Sequence, residues 1–223
     1  MVFWPQLTKI EVPIFEQMKA WDYMAEPGAI EPSIYLIWWN KLETKLYKKV
    51  FGPKKGSLYP KTQVTAEILD HYLKENKDFS GQWMLRELEK TSSLPQAVTN
   101  AFQLALEELK TKQGVDKTKW RLGRVVGADI DHLLNLPALS ESSDLIGGSK
   151  NAVNANFGEH GASWRQIVKL GEKFQAKTNY PGGQSGNPFD PQYDKYIKPW
   201  AKGEYRDVHY YQSWDEVPLE SEL

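Results

Sequence analysis

Among the side chains able to do chemistry, Ser185 has the most suggestive setting, the tract Pro181-Gly182-Gly183-Gln184-Ser185-Gly186-Asn187-Pro188. A nucleophilic serine on a strand-to-helix elbow needs Gly-x-Ser-x-Gly, and Gly183-Gln184-Ser185-Gly186 is one residue short. A phosphate-cradling loop needs Lys followed by Ser or Thr after its last glycine, whereas Asn187 and Pro188 stand there. The glycines are therefore expected to give the backbone a sharp path beside a sheet, with Gln184 and Ser185 satisfying buried backbone groups. The histidines, His71, His132, His160 and His209, lie far apart, and none has a second histidine or a carboxylate at ligand spacing. His132 follows Asp129 and Asp131 in an expected loop, a weak pattern for a metal. All four are expected to be surface or hydrogen-bonded core histidines. Arg165, next to Trp164, offers a planar fork that could clamp a carboxylate or pair with a neighbouring acid. Seven lysines from Lys41 to Lys61, with Glu43 among them, fit a solvated helix face and its loop. No catalytic, cofactor-binding or metal-binding residue is assigned.

Composition narrows the classes. The chain has 223 residues, 40% of them hydrophobic, no cysteine and a formal net charge of -1. That length buries roughly 70% of the surface of the unfolded chain, so disulfides and structural metals are not needed for a core. Without cysteine there are no thiolate metal sites, thiol nucleophiles or redox pairs. Twenty-eight Lys and Arg against 29 Asp and Glu give no basic excess for a nucleic-acid backbone. The longest apolar run, Ile34 to Trp39, falls far short of the ~20 residues that span a bilayer, and no secretion signal is visible. Nine tryptophans in a chain of mean hydropathy -0.59 are expected to fill core and interface gaps rather than form a ligand platform.

The elements that must position these residues change character along the chain. Glu31-Pro32-Ser33 opens a helix in which Ile34, Trp38, Leu42, Leu46 and Val50 recur every four residues until Gly52-Pro53. Thr62 is placed to cap a second helix carrying Val64, Ile68, Leu69 and Tyr72, and Trp83, Met84, Leu85 and Leu88 mark a short third. Ser93-Leu94-Pro95-Gln96 has the capping-box form, followed by Ala97, Ala101, Leu104, Ala105 and Leu109 until Gly114. Beyond it, Ala152 to Phe157, Trp164 to Leu170 and Phe174 to Tyr180 predict strands. A short helix broken by Pro199 is expected between Asp190 and Lys202, then a terminal strand over Glu204 to Tyr211. The expected organisation is α+β, with a mainly helical part over 1–114 and a strand-rich part over 115–223.

Several motifs of the second half, in order, resemble the penicillin acylase (penicillin amidase) family of N-terminal nucleophile hydrolases. Trp120-Arg121-Leu122-Gly123-Arg124 is similar to the family's Trp-x-Trp-Gly-Arg, with His132-Leu133 and Pro137 after it. Gly147-Gly148 with Asn151, Val153 and Asn154 resembles Gly-Gly-x-x-Thr-Val-Asn, and Gly161-Ala162-Ser163-Trp164-Arg165 resembles Gly-x-Ser-x-Arg. Pro181 to Pro188, Pro191, Tyr193, Trp200 and Gly203-Glu204-Tyr205 resemble the closing elements. In the first half, Trp21-Asp22 and Trp38-Trp39 stand where the family has a Trp-Asp-Gly turn and a Trp-rich helix. Departures are Leu122 for the second Trp, Val126 and Gln192 where many members have His, and Lys169 where relatives commonly have an acid.

The resemblance implies an autocatalytically exposed serine whose α-amino group is the general base, with an oxyanion hole, acting on an acyl amide. Those groups, the oxyanion-hole Asn and the calcium ligands all precede the matched region, and the chain begins Met1-Val2-Phe3. The expectation is a carboxy-terminal segment of such a hydrolase, part of an αββα fold, that completes the sheet and substrate pocket and lacks the nucleophile. Its partners would be the upstream nucleophile-bearing portion of the same precursor and an acyl amide substrate, with neither nucleic acid nor membrane insertion. No cofactor is expected on this segment, calcium is possible in the complete enzyme, and that enzyme would be periplasmic or secreted. The alternative is a self-contained, non-catalytic binding or assembly module built on the same fold segment.

Overall fold

The computed structural model describes residues 7–52, 59–74, 82–90, 93–143, 146–156 and 160–218. The order of elements is α+β: helices occupy the first half and antiparallel strands the second. Two compact units are formed, one from residues 1–24 and 29–121, the other from 25–28 and 122–223. No helix of the described residues is long and apolar enough to cross a membrane.

In the first unit, α1 (Glu11–Lys19), α2 (Glu31–Phe51), α3 (Thr62–Leu73), α4 (Gln82–Glu89) and α5 (Leu94–Gln113) surround a core centred on the α2–α5 pair. Pro32 sits in the first turn of α2, where a missing N–H costs nothing, and Gly52 at φ 76° ends it. Ile34, Leu42 and Leu46 from α2 are buried as their spacing requires, and Val50 lies outside the described side chains. Tyr47 is also buried, its hydroxyl donating to Thr65 Oγ1 at 2.8 Å. Burial, reinforced by Glu43, pushes the Tyr47 phenol up, while the Thr65 contact opposes this.

Several local expectations are corrected. Ser93 takes the N-cap position of α5 in extended conformation but its side chain makes no cap hydrogen bond. Thr62 is the first residue of α3 rather than its cap, a place held by Lys61. Leu104 and Val64 face solvent, and their places in the core go to Phe102, Leu106 and Thr65. The lysine-rich face of α2 is only partly solvated. Lys41 reaches Glu108 on α5 at 2.5 Å, and burial lowers the pKa of Lys45.

The second unit contains α6 (Leu122–Val125), a two-stranded ribbon of β1 (Ala128–Ile130) and β2 (Glu141–Ser143), a sheet of order β3 (Arg165–Lys169), β4 (Gln175–Asn179) and β5 (Arg206–Val208), and α7 (Ile197–Lys202). The register pairs Arg165 with Asn179, Ile167 with Lys177, and Lys177 with Asp207. Pro199 does not break the last helix: it lies in the first turn of α7, where proline is tolerated. Ala152 to Phe157 is not a strand over its described residues, which make only isolated bridges at Ala155 and Asn156. Arg165 is the one buried residue of β3; Ile167 is 55% and Val168 46% exposed, and Leu170 just beyond is 77% exposed.

Candidate functional site

The motif residues of the second unit converge on the indole of Trp200, which is buried on α7. Its Nε1 donates to the Ala162 carbonyl at 2.7 Å, and its own carbonyl accepts from Arg165 Nη1 at 3.0 Å. The Arg165 guanidinium lies 5.4 Å from the Trp200 ring centroid. Gly161 is glycine because nothing larger fits: a Cβ there would be 2.5 Å from Trp200 Cζ2 and 2.8 Å from Ile146 Cδ1. Asn179, paired with Arg165 across β3 and β4, donates through Nδ2 to the Pro199 and Glu204 carbonyls. Strand ends, helix and the turn at Gly203 are thereby tied together through carbonyls of the last helix, of which Pro199 O also accepts from the Glu204 N–H and Trp200 O from the Gly203 N–H.

A second knot surrounds Gly147 and Gly148. The Gly148 N–H donates to Ala25 O at 2.8 Å, and the Gly147 carbonyl accepts from Asn154 Nδ2 and Asn156 Nδ2. At φ 92°, Gly148 adopts backbone that favours glycine. Ala25 and Pro27 join the second unit in this way, with Pro27 O accepting from the Gly123 N–H at 2.9 Å.

The Gly-rich tract forms a third contact. Gly183 packs directly on the 192–193 backbone, so that a Cβ would lie 1.6 Å from Gln192 O, while Gln184 N donates to that carbonyl at 2.9 Å. The sharp path expected from the glycines is present, but the side chains act differently from expectation. Ser185 Oγ accepts from the exposed Asn187 N–H at 3.1 Å, and Gln184 Nε2 donates to the Tyr180 hydroxyl rather than to buried backbone. Asp190 is held below the ordinary carboxylate range first by the Gln192 N–H and then by the Ser185 hydroxyl. Ser185 thus has a carboxylate and a local N–H as described partners, and no histidine to act as base.

The remaining candidates do not gather. His132 Nδ1 accepts from Leu134 N at 3.3 Å and its ring lies 6.4 Å from that of Tyr193, while His209 stacks on Tyr211. His160 and His71 are exposed. Asp129 lies on β1 and Asp131 follows that strand, both exposed. Among the described residues no group of three or more His, Asp or Glu is placed to hold a metal ion. Sequence spacing missed one cluster. The Arg206 guanidinium lies 4.1 Å from the ring centroids of both Tyr180 and Tyr196, with Trp164 stacked on Tyr180. These residues belong to four separate segments, and no local periodicity links them.

The arrangement is one in which recurring glycines, Arg165 and Trp200 serve packing and backbone satisfaction. The penicillin amidase family model matches residues 3–216. The chain belongs to the penicillin amidase family. It is 22% identical over 213 residues to an acyl-homoserine lactone acylase of Pseudomonas fluorescens (strain Pf0-1), covering 86% of this chain and 24% of that protein. The acyl-homoserine lactone acylase of Pseudomonas syringae pv. tomato is 22% identical over 215 residues, 87% of this chain and 26% of the relative. This member of the family therefore spans about a quarter of the length of the curated relatives it matches.

Proposed function

We propose that this chain is the carboxy-terminal portion of a penicillin-amidase-like hydrolase that cleaves an acyl amide bond. In that enzyme it completes the sheet and walls the substrate pocket, while the nucleophilic serine, its base and the oxyanion hole are supplied by the upstream portion. The observation that carries this is the family match over nearly the whole chain to relatives about four times its length. The open sheet supports it: among the described residues β3 has a strand on one side only, and Val168 and neighbouring Leu170 on one face and Ile167 on the other are exposed, leaving apolar surface for further elements to cover. Ser185 supports it in a second way, since its partners equip it for a turn and not for attack on a carbonyl.

The names of the relatives suggest an acylated substrate. The proposal places calcium on the other portion of the complete enzyme, which works in the periplasm or outside the cell. Co-expression of this chain with the nucleophile-bearing portion of the same enzyme, followed by measurement of acid released from an N-acyl amide, tests the proposal. Hydrolysis is expected only with both portions together. Equal activity of the upstream portion without this chain would favour a self-contained, non-catalytic binding or assembly module instead.

A further inference from the structure

The loop between β1 and β2 holds leucines out in water on a frame fixed by its own hydrogen bonds. Leu133 is 92% exposed, Leu134 72% and Leu136 44%. Residues 132–135 form a tight turn in which the Asn135 N–H donates to His132 O at 2.6 Å and the Leu134 N–H donates to His132 Nδ1 at 3.3 Å. Asn135 takes the left-handed φ of 51° that asparagine tolerates. The Ser140 hydroxyl staples the two limbs of the loop, accepting from the His132 N–H and donating to Leu136 O, each at 3.0 Å. A 3-10 turn over Pro137–Leu139 stiffens the return limb, and the Tyr193 hydroxyl braces it by donating to Leu139 O at 3.4 Å.

A single exposed leucine is ordinary, whereas Leu133, Leu134 and Leu136 on one braced loop form an apolar knob. Because the turn is already ordered, a partner that buries the leucines gains their transfer free energy without the entropy of ordering a loop. Asp131 and Glu141, at the two ends of the loop, have no ion pair among the described residues. The complementary surface is therefore an apolar pocket with Lys or Arg on its rim. We propose that Leu133 and Leu134 are the knob by which this chain docks into such a pocket on the upstream portion of the same enzyme. This rests on the proposed function, in which the chain is about a quarter of a longer protein, as it is of its relatives.

The test compares binding of the wild-type chain and of the double variant Leu133→Ser, Leu134→Ser to the immobilised upstream portion. Both side chains are exposed, so the variant should keep the wild-type thermal midpoint. Its Kd should rise at least about tenfold, mostly through faster dissociation. Asp131→Asn with Glu141→Gln should instead slow association at low salt and leave dissociation near the wild-type rate. Wild-type binding with an unchanged Kd for the leucine variant overturns the proposal and leaves the proposed function standing. No binding by the wild-type chain overturns both, and an association rate unaltered by the charge variant overturns the basic rim.

Discussion

Gly161 lies flush against the indole of Trp200, so close that a single added methyl would come within 2.5 Å of Cζ2 and 2.6 Å of Cη2. The indole has no room to move, because Nε1 is bonded to Ala162 O and the ring packs with Ile146 and Ala128. Gly161→Ala is therefore expected to destabilise the second unit by roughly 1–3 kcal/mol, the usual cost of overpacking. Urea unfolding followed by tryptophan fluorescence checks this, and an unchanged midpoint would show that the knot yields.

The Gly-rich tract offers a paired test. At Gly183 the obstacle is the Gln192 backbone carbonyl, which cannot rotate away, so Gly183→Ala should cost more than about 3 kcal/mol or prevent folding. At Gly186 nothing lies within 4 Å and φ is not in the left-handed region, so Gly186→Ala should be neutral or stabilise by about 0.4–1 kcal/mol. Thermal midpoints of the two variants measured side by side should separate in this order.

Glu108 gives a pH dependence to the helical unit. Its hydrogen bonds to Lys112 and then Lys41 hold the carboxyl below its ordinary value of 4.5, with burial opposing. A carboxyl whose folded pKa is depressed contributes stability above the unfolded pKa and loses it as the pH falls through the folded one. Wild type should exceed Glu108→Gln by roughly 0.5–1 kcal/mol at pH 7, and in urea titrations the difference should begin to shrink as the pH falls past the ordinary carboxyl value of 4.5 and be lost once it passes the depressed folded value. A pH-independent difference would assign Glu108 a packing role only.

The legible parts of the fold were those written in local chemistry. Proline and glycine fixed both ends of α2, and alternation located β3 and β4 to within a residue. Caps were misjudged because Ser93 and Thr62 have the right residue type without the geometry for the bond. Three-residue strands such as β1 and β2 are too short for periodicity to register. The motifs were visible as a set, but the reason for each was not. Gly161 answers to Trp200, 39 positions away, and Gly183 to Gln192, contacts that no spacing rule encodes. The burial of Arg165 Nε and Nη2 without a partner among the described residues is likewise a property of the packed fold, so the sequence offered only a choice between clamp and ion pair.

Ser185 separates a scaffold role from a catalytic one. With a bond to Asn187 N and another to Asp190 but no histidine, Ser185→Ala should leave kcat of the assembled enzyme within about twofold and lower stability by roughly 1 kcal/mol. Loss of turnover in a folded Ser185→Ala protein would move the chemistry onto this chain.

The most direct measurement of the central claim is acyl-amide hydrolysis by the upstream nucleophile-bearing portion, titrated with this chain. Activity that rises with added chain and saturates at one equivalent, with none from the chain alone, is the predicted result. Turnover by the chain alone, or a reaction rate indifferent to its addition, would contradict the account.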